Sequence, residues 1–199
     1  MRLTGKPVLC NYYITYRCNA SCSFCDIWEK PSPYSTLENV EKNLIDLKKL
    51  GVKVIDFTGG EPLLHREIEL LLKKAKELGF VTTLTTNGLL YPKKAVKIHK
   101  LVDMLHFSLD YADAEKHDSS RGTACFSKVI ESIEVALSLG ERPDILFTAF
   151  NNNIDEIEKV YTEVVVPNNL ILILNPSFSY NGIGEELTET SLVTLQSWG

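Results

Sequence analysis

The sequence is short of long apolar runs. No stretch of its 199 residues approaches the roughly 20 consecutive apolar residues that a membrane-spanning helix needs. Its first residues, MRLTGKPVLCNYY, lack an apolar core followed by a small-residue cleavage site, so we expect no secretory signal. These absences predict a cytoplasmic protein without a membrane span.

The sequence also lacks a concentration of positive charge. Its 21 Lys and Arg residues are outnumbered by 26 Asp and Glu, the net charge is −5, and the lysines are spread along helical stretches. Nucleic-acid backbones attract massed basic residues, so nothing favours DNA or RNA as a partner. Low-complexity tracts and linkers are absent too, and we expect residues 1–199 to form one domain.

Cysteine is infrequent and unevenly distributed. There are five cysteines, an odd number, and three of them, Cys18, Cys22 and Cys25, lie within eight residues. In a reducing compartment such a group indicates metal binding or catalysis before it indicates disulfides. We expect Cys10 to be a buried strand residue and Cys125 to begin a helix.

Apolar, β-branched runs alternate with amphipathic stretches along the chain, which predicts right-handed βαβ units and a parallel sheet. The runs are nearly continuous, so we expect strands buried on both faces. The predicted strands cover 7–15, 53–57, 80–85, 104–109, 145–149 and 170–174. The predicted helices cover 37–50, 68–78, 92–99, 126–139 and 154–164.

About six such units fit in this length, whereas a closed eight-unit barrel takes roughly 250 residues. An open barrel of about six strands and a doubly wound flat sheet both satisfy the pattern. The chain stops at residues 195–199, where a sixth helix would be under way. We therefore expect it to be truncated at its C-terminus.

The three clustered cysteines form the segment CNASCSFC after the first predicted strand. Asn and Ser favour turns, so we expect a loop that presents three thiolates, a soft site suited to zinc or iron–sulfur. Structural zinc takes four ligands, and a cubane cluster normally takes four cysteines. No fourth ligand is evident, since Cys10 precedes the segment on the predicted strand and Cys125 is far away in sequence. A cluster held here would therefore keep one iron open.

The CxxxCxxC spacing, with Phe24 before the last cysteine, resembles the signature of the radical S-adenosylmethionine (SAM) superfamily. The segment Gly59-Gly60-Glu61-Pro62 resembles the GGEP motif of that family, whose strand edge and glutamate receive the amino group of SAM. The resemblance implies an α/β fold, a partial TIM-like barrel of about six parallel β/α units, with residues 1–199 as the radical SAM core domain. It also implies a [4Fe–4S] cluster on Cys18, Cys22 and Cys25.

Two further segments resemble the family. Ser108-Leu109-Asp110 resembles an S-L-D segment near the SAM ribose, and His117–Gly122 (HDSSRG) resembles a stretch of the branch with molybdenum-cofactor and SPASM-type enzymes. Arg121 is then a candidate clamp for the SAM carboxylate, with a surface salt bridge as the alternative. Asn87 is expected to contact SAM or to cap a turn, and Asn175 to reach its adenine or ribose.

The resemblance implies reductive cleavage of SAM to a 5′-deoxyadenosyl radical, which abstracts hydrogen from an unidentified small-molecule or peptide substrate. It also implies an electron donor such as flavodoxin or ferredoxin. A non-catalytic zinc or iron–sulfur module, and an inactive fragment of a longer radical SAM enzyme, are the alternatives.

Overall fold

The computed structural model describes residues 5–32, 34–177, 186–188 and 191. Strands and α-helices alternate along this part of the chain. They are β1 (Leu9–Thr15), α1 (Leu37–Leu50), β2 (Val54–Gly59), α2 (Ile68–Glu77), β3 (Val81–Thr86), α3 (Tyr91–Ile98), β4 (Met104–Ser108), α4 (Ala114–Arg121), α5 (Phe126–Ser138), β5 (Asp144–Ala149), α6 (Ile157–Val160) and β6 (Ile171–Pro176). Single 3₁₀ turns cover Ile27–Glu29, Pro62–Leu64 and Ile154–Glu156, and a π turn covers Tyr161–Val165.

The six strands form one parallel sheet in the order β1-β2-β3-β4-β5-β6. A doubly wound sheet reverses its direction of growth partway through, whereas this sheet grows in one direction only. Sequential growth with helical crossovers is the topology of a β/α barrel. The predicted partial barrel is therefore confirmed, and the flat doubly wound alternative is wrong.

Local sequence signals account for the first helix. The Thr36 hydroxyl accepts a hydrogen bond from the Asn39 amide at the start of α1, and Gly51 ends the helix with a φ of 97°. Both are strong signals in sequence, so the predicted bounds of α1 match the structure. The predicted helix over 154–164 is instead divided into a 3₁₀ turn, the short α6 and a π turn. The expected start of a sixth helix near residue 195 lies outside the described residues.

Strands β2, β4 and β5 are buried on one face only, whereas β3 is buried on both faces from Thr82 to Leu84. In β2, Ile55 and Phe57 are buried among the helices, while Val54 and Asp56 are only half-buried. The hydroxyls of Thr83 and Thr85 donate to the Asp56 carboxylate over 2.6 and 3.3 Å. The inward face thus contains a polar cluster, and the prediction of strands buried on both faces is wrong for β2, β4 and β5.

Helices cover the other face of the sheet and complete an apolar core. The largest fully buried side chains there include Tyr91, Phe57, Phe107 and Phe147, and the rings of Tyr91 and Phe107 meet edge to face at 4.9 Å. This core fixes the carboxyl ends of the strands. Within the described ranges, no helix combines the length and apolar character needed to cross a membrane.

Candidate active site

The three clustered cysteines lie on the cysteine loop, residues 16–26, which follows β1 and contains no helix or strand. Cys18, Cys22 and Cys25 are half-buried and free, and the Cys25 amide donates to the Cys22 carbonyl over 3.2 Å. The other two cysteines are also free: Cys10 is half-buried on β1, and Cys125 is buried directly before α5. The expected loop geometry is therefore present.

The three sulfurs do not form a single-ion site. Among the described residues, no three His, Cys, Asp or Glu side chains are arranged to hold one metal ion. Each thiolate of a cubane cluster binds a different iron, so its ligands need not converge as the ligands of zinc do. Three thiols on the loop also match a cubane with one open iron, whereas structural zinc takes four ligands.

Burial makes the thiols of Cys18 and Cys22 poor anions without a nearby cation. It raises the pKa of the Cys18 thiol to about 11. Burial also raises the pKa of Cys22, and the neighbouring Arg121 guanidinium opposes that shift. A bound metal centre would supply the positive charge that favours the thiolate form.

The end of β2 holds one side of the cysteine loop. The amides of Gly60 and Glu61 donate to the carbonyls of Thr15 and Arg17 over 2.8 and 2.7 Å. A Cβ at Gly59 would lie 2.1 Å from the Thr15 carbonyl oxygen, and a Cβ at Gly60 would lie 2.2 Å from that of Arg17. Only glycine fits at both positions because backbone meets backbone there.

The Glu61 side chain extends from this edge toward the end of β3 and has no exposed surface. Its carboxylate accepts hydrogen bonds from the Leu63 amide (2.9 Å), the Thr86 hydroxyl (2.8 Å) and the Asn87 amide (2.9 Å). Burial raises its pKa to about 7, and these three donors oppose the shift. Pro62 begins the 3₁₀ turn that follows. The contact of Glu61 with the SAM amino group stays a prediction.

Asn87 connects the end of β3 to the cysteine loop. Its Nδ2 donates to Asn19 Oδ1 over 2.8 Å and lies 3.9 Å from Cys18 Sγ. Its Oδ1 accepts from the Leu89 amide, so the turn-capping role foreseen for it is present as well. We name this region the β2–β3 anchor, and it comprises Gly59, Gly60, Glu61, Thr86 and Asn87.

Helix α4 holds the other side of the loop. The amides of Ser21 and Ser23 donate to the carbonyls of Arg121 and Ser120 over 3.1 and 3.0 Å. The Ser21 hydroxyl donates to the Gly122 carbonyl over 3.1 Å, and Gly122 has a φ of 64°. The unsatisfied carbonyls at the end of α4 are thus used to fix the cysteine loop.

The Arg121 side chain is enclosed rather than on the surface. Its Nη2 lies 2.6 Å from Asp110 Oδ2 and its Nη1 lies 4.0 Å from Cys22 Sγ. Its guanidinium also stacks over the Phe24 ring at 5.2 Å, and that ring packs on Phe150 at 4.6 Å. The alternative of a surface salt bridge is wrong, because Arg121 and Asp110 are both buried. We name Asp110, Ser120, Arg121 and Gly122 the α4 anchor.

The remaining residues of the HDSSRG segment have internal partners. Nδ1 of His117 accepts from the Asp110 amide over 3.3 Å, and burial lowers the pKa of His117 to about 3, so its imidazole is neutral. Asp118 Oδ1 accepts from the amides of Cys125 and Phe126 at the start of α5. The segment therefore fixes α4 and α5 to the end of β4.

Two predicted contacts lie at the same end of the sheet. Ser108 is the half-buried last residue of β4, and Asn175 is an exposed residue of β6 that pairs with Thr148. Their contacts with SAM stay predictions. Sequence reasoning assigned no individual role to Asn153, which is buried and donates to the Thr148 carbonyl over 2.9 Å. Its place in the Asn151–Asn153 run after β5 was the available signal.

The fold is a partial α/β barrel, and three free thiols lie at the carboxyl ends of its strands. Thiolates are soft ligands, so the chain is an α/β barrel protein with donors suited to a soft metal centre. A family model described as the Radical SAM superfamily matches residues 12–164. The chain therefore belongs to the Radical SAM superfamily, which confirms the prediction made from CNASCSFC and GGEP. Members of this family use a [4Fe–4S] cluster and SAM.

Relatives of the chain carry different names. A probable GTP 3′,8-cyclase from Sulfurisphaera tokodaii is 30% identical over 152 residues, which covers 74% of this chain and 49% of the relative. The AdoMet-dependent heme synthase of Methanosarcina barkeri is 28% identical over 165 residues, covering 80% of this chain and 47% of the relative. The chain spans about half the length of these relatives.

A solved structure has the same fold. The crystal structure of Streptococcus suis SuiB bound to S-adenosylmethionine matches with a TM-score of 0.85 at 21% identity. The match covers 97% of this chain and 47% of that chain. It supports the barrel architecture of the described residues.

Proposed function

We propose that the chain holds a [4Fe–4S] cluster on Cys18, Cys22 and Cys25 and uses it to activate SAM. When bound, the cluster and SAM together supply reductive cleavage of the sulfonium and, from it, hydrogen abstraction from a substrate C–H bond. The observation that carries this proposal is the set of three free thiols on a loop held from both sides. Family membership supports the same chemistry.

The surrounding residues have roles that follow from their positions. The positive charge of Arg121 favours the thiolate form of Cys22. Phe24, packed on Phe150, limits the access of water to the loop. We assign the amino group of SAM to the edge formed by Gly59, Gly60 and Glu61, and its carboxylate to Arg121. We assign the remaining parts of SAM to Asn87, Ser108 and Asn175, and we assign the buried Asp110 to the support of Arg121.

Relatives of nearly equal identity are named for different reactions, so the proposal stops at the chemistry that the family shares. We infer that residues 1–199 act as a radical SAM core domain on a small-molecule or peptide substrate. An electron donor such as flavodoxin or ferredoxin in a reducing cytoplasm fits the free thiols.

The test is anaerobic reconstitution with iron and sulfide, followed by reduction with dithionite in the presence of SAM. We expect a brown protein whose reduced EPR spectrum changes on addition of SAM, and release of 5′-deoxyadenosine. Cys22→Ala is expected to abolish all three signals, because a cubane left with two thiolates is not retained.

The matched control is Cys10→Ala, which removes a half-buried cysteine from β1, outside the loop. This variant should retain the cluster and the cleavage of SAM. A colourless wild-type protein that binds one zinc ion would establish the zinc-module alternative instead. A loaded cluster with no cleavage of SAM would identify an inactive fragment.

A further inference from the structure

The Asp110 carboxylate is sealed inside the protein, yet it is two contacts away from a cysteine. It has no exposed surface, and the Arg121 side chain that pairs with it is only 7% exposed. The 2.6 Å contact between Asp110 Oδ2 and Arg121 Nη2 is followed by the 4.0 Å approach of Arg121 Nη1 to Cys22 Sγ. Asp110 can therefore act on the cysteine loop through Arg121.

Asp110 is itself held from several directions. Its Oδ1 accepts from the Thr148 amide of β5 over 2.8 Å, and its own amide donates to His117 Nδ1 of α4 over 3.3 Å. The Asn153 side chain donates to its carbonyl over 3.5 Å. Because backbone and side chain are both fixed, the position of the Asp110 carboxylate is set by the ends of β4 and β5.

Arg121 retains donor capacity after pairing with Asp110. A guanidinium carries five N–H groups, and the buried Nε of Arg121 has no hydrogen-bond acceptor among the described residues. A buried N–H without an acceptor is costly, so such a group is usually completed by a ligand or by water. The planar guanidinium is suited to bidentate binding of a carboxylate.

We propose that Asp110 is a positioning residue, which binds no ligand itself but holds the Arg121 guanidinium beside Cys22 with its free donors available to the carboxylate of SAM. This inference rests on the proposed function. We assign the contact between Asp110 and Arg121 to cofactor affinity rather than to assembly of the cluster. Loss of the Asp110 charge should leave Arg121 free to turn away from the site.

The test measures equilibrium binding of SAM to the reconstituted protein in its oxidised state, which does not cleave SAM, by equilibrium dialysis. Asp110→Asn is expected to weaken SAM binding by about tenfold or more, with iron and sulfide content unchanged. In an Arg121→Gln background, the same Asp110→Asn change should alter the affinity by less than about twofold, because the mediator is gone. The double variant carries no unpaired buried charge, so it also guards against misfolding of the single variants.

The matched control is Asp103→Asn, which breaks the 2.6 Å ion pair with Lys76 directly before β4, at the opposite end of that strand. It should leave SAM affinity at the wild-type value. Wild-type affinity in Asp110→Asn, or an equal loss in both backgrounds, would overturn the inference. A wild-type protein without a cluster or without SAM binding would instead count against the proposed function.

Discussion

The β2–β3 anchor and the α4 anchor both hold the cysteine loop, and each contains one fully buried carboxylate. Glu61 accepts hydrogen bonds from two backbone amides and one hydroxyl, all of them neutral donors. Asp110 instead pairs with the Arg121 guanidinium and accepts from one amide. Burying a carboxylate costs free energy in both anchors. Neutral hydrogen-bond donors offset this cost at Glu61, and the charge of Arg121 offsets it at Asp110.

This difference makes the loop electrically asymmetric. Cys18 lies beside the neutral amide of Asn87, whereas Cys22 lies beside the cationic Arg121. Accordingly, burial raises the pKa of both thiols, but only Cys22 has a cation among the causes that oppose the shift. The α4 anchor is therefore the side suited to an anionic ligand, and the β2–β3 anchor is suited to holding backbone against backbone.

Gly60→Ala is expected to have the largest effect, because it breaks the β2–β3 anchor at a contact that cannot yield. The new Cβ would lie 2.2 Å from the Arg17 carbonyl oxygen and 2.6 Å from that of Tyr16. We expect a loss of roughly 3 kcal/mol or more in the free energy of unfolding, measured by urea denaturation. The α4 counterpart is Gly122→Ala, whose Cβ would lie 2.4 Å from the Ser21 carbonyl oxygen.

The control for both glycine variants is Gly140→Ala. Gly140 also has a positive φ, of 79°, but a Cβ there would have no atom within 4 Å. Gly140→Ala should therefore lower the free energy of unfolding by about 1 kcal/mol, through backbone strain alone. If Gly60→Ala were no more destabilising than Gly140→Ala, the close approach of β2 to the cysteine loop would be disproved.

The pH dependence of the free energy of unfolding in Glu61→Gln tests how the two buried carboxylates differ. The pKa of Glu61 is raised from 4.5 to about 7 in the folded protein, so the folded state holds a proton that the unfolded chain has already released. The stability from this proton is complete below about pH 4.5 and is lost as pH rises to about 7. The change is on the order of 3 kcal/mol.

The measurement is the free energy of unfolding of the metal-free protein between pH 4.5 and 8, wild type against Glu61→Gln. Glutamine does not titrate, so the difference between the two proteins should move in favour of the variant as the pH rises. A difference that is constant with pH would contradict the raised pKa and show that the three donors at least balance the effect of burial.

Asp118→Ala should have the smallest effect of the series, since it acts at the edge of the α4 anchor. Asp118 caps the start of α5 by accepting from two amides, over 2.8 and 2.7 Å. Loss of such a cap costs about 1 kcal/mol of stability, readable as a shift of the urea midpoint. Exposed Asp155 is the matched control, and Asp155→Ala should change stability by less than about 0.5 kcal/mol.

Sequence patterns predicted the elements whose signals are local and apolar. The cap at Thr36, the stop at Gly51 and the leucine spacing between them were sufficient to define α1. Helix α4 has the sequence AEKHDSSR, and its buried residues are His117 and Arg121. A search for apolar periodicity cannot detect a helix whose inner face is polar, so α4 was missed.

The site was predictable where it consists of consecutive residues and not where the fold brings distant residues together. The cysteine segment and GGEP are motifs that can be read directly. The contact of Arg121 with Asp110 and Cys22 depends on the packing of α4 against a loop about 100 residues earlier. The polar inner face of the sheet was missed because Asp56 and Thr83 lie in otherwise apolar runs, where their shared hydrogen bond cannot be seen.

Because the cysteine loop is attached to α4, it can close only late in the folding of the chain. Ser21 and its partner Gly122 are 101 positions apart, so the ribosome must deliver four strands before the loop can close. Long-range contacts of this kind form late in folding. Until then the thiols remain accessible to oxidants and to stray metal ions. We expect the proteins that assemble a cluster to act on a chain in which β1 to β4 have already been made.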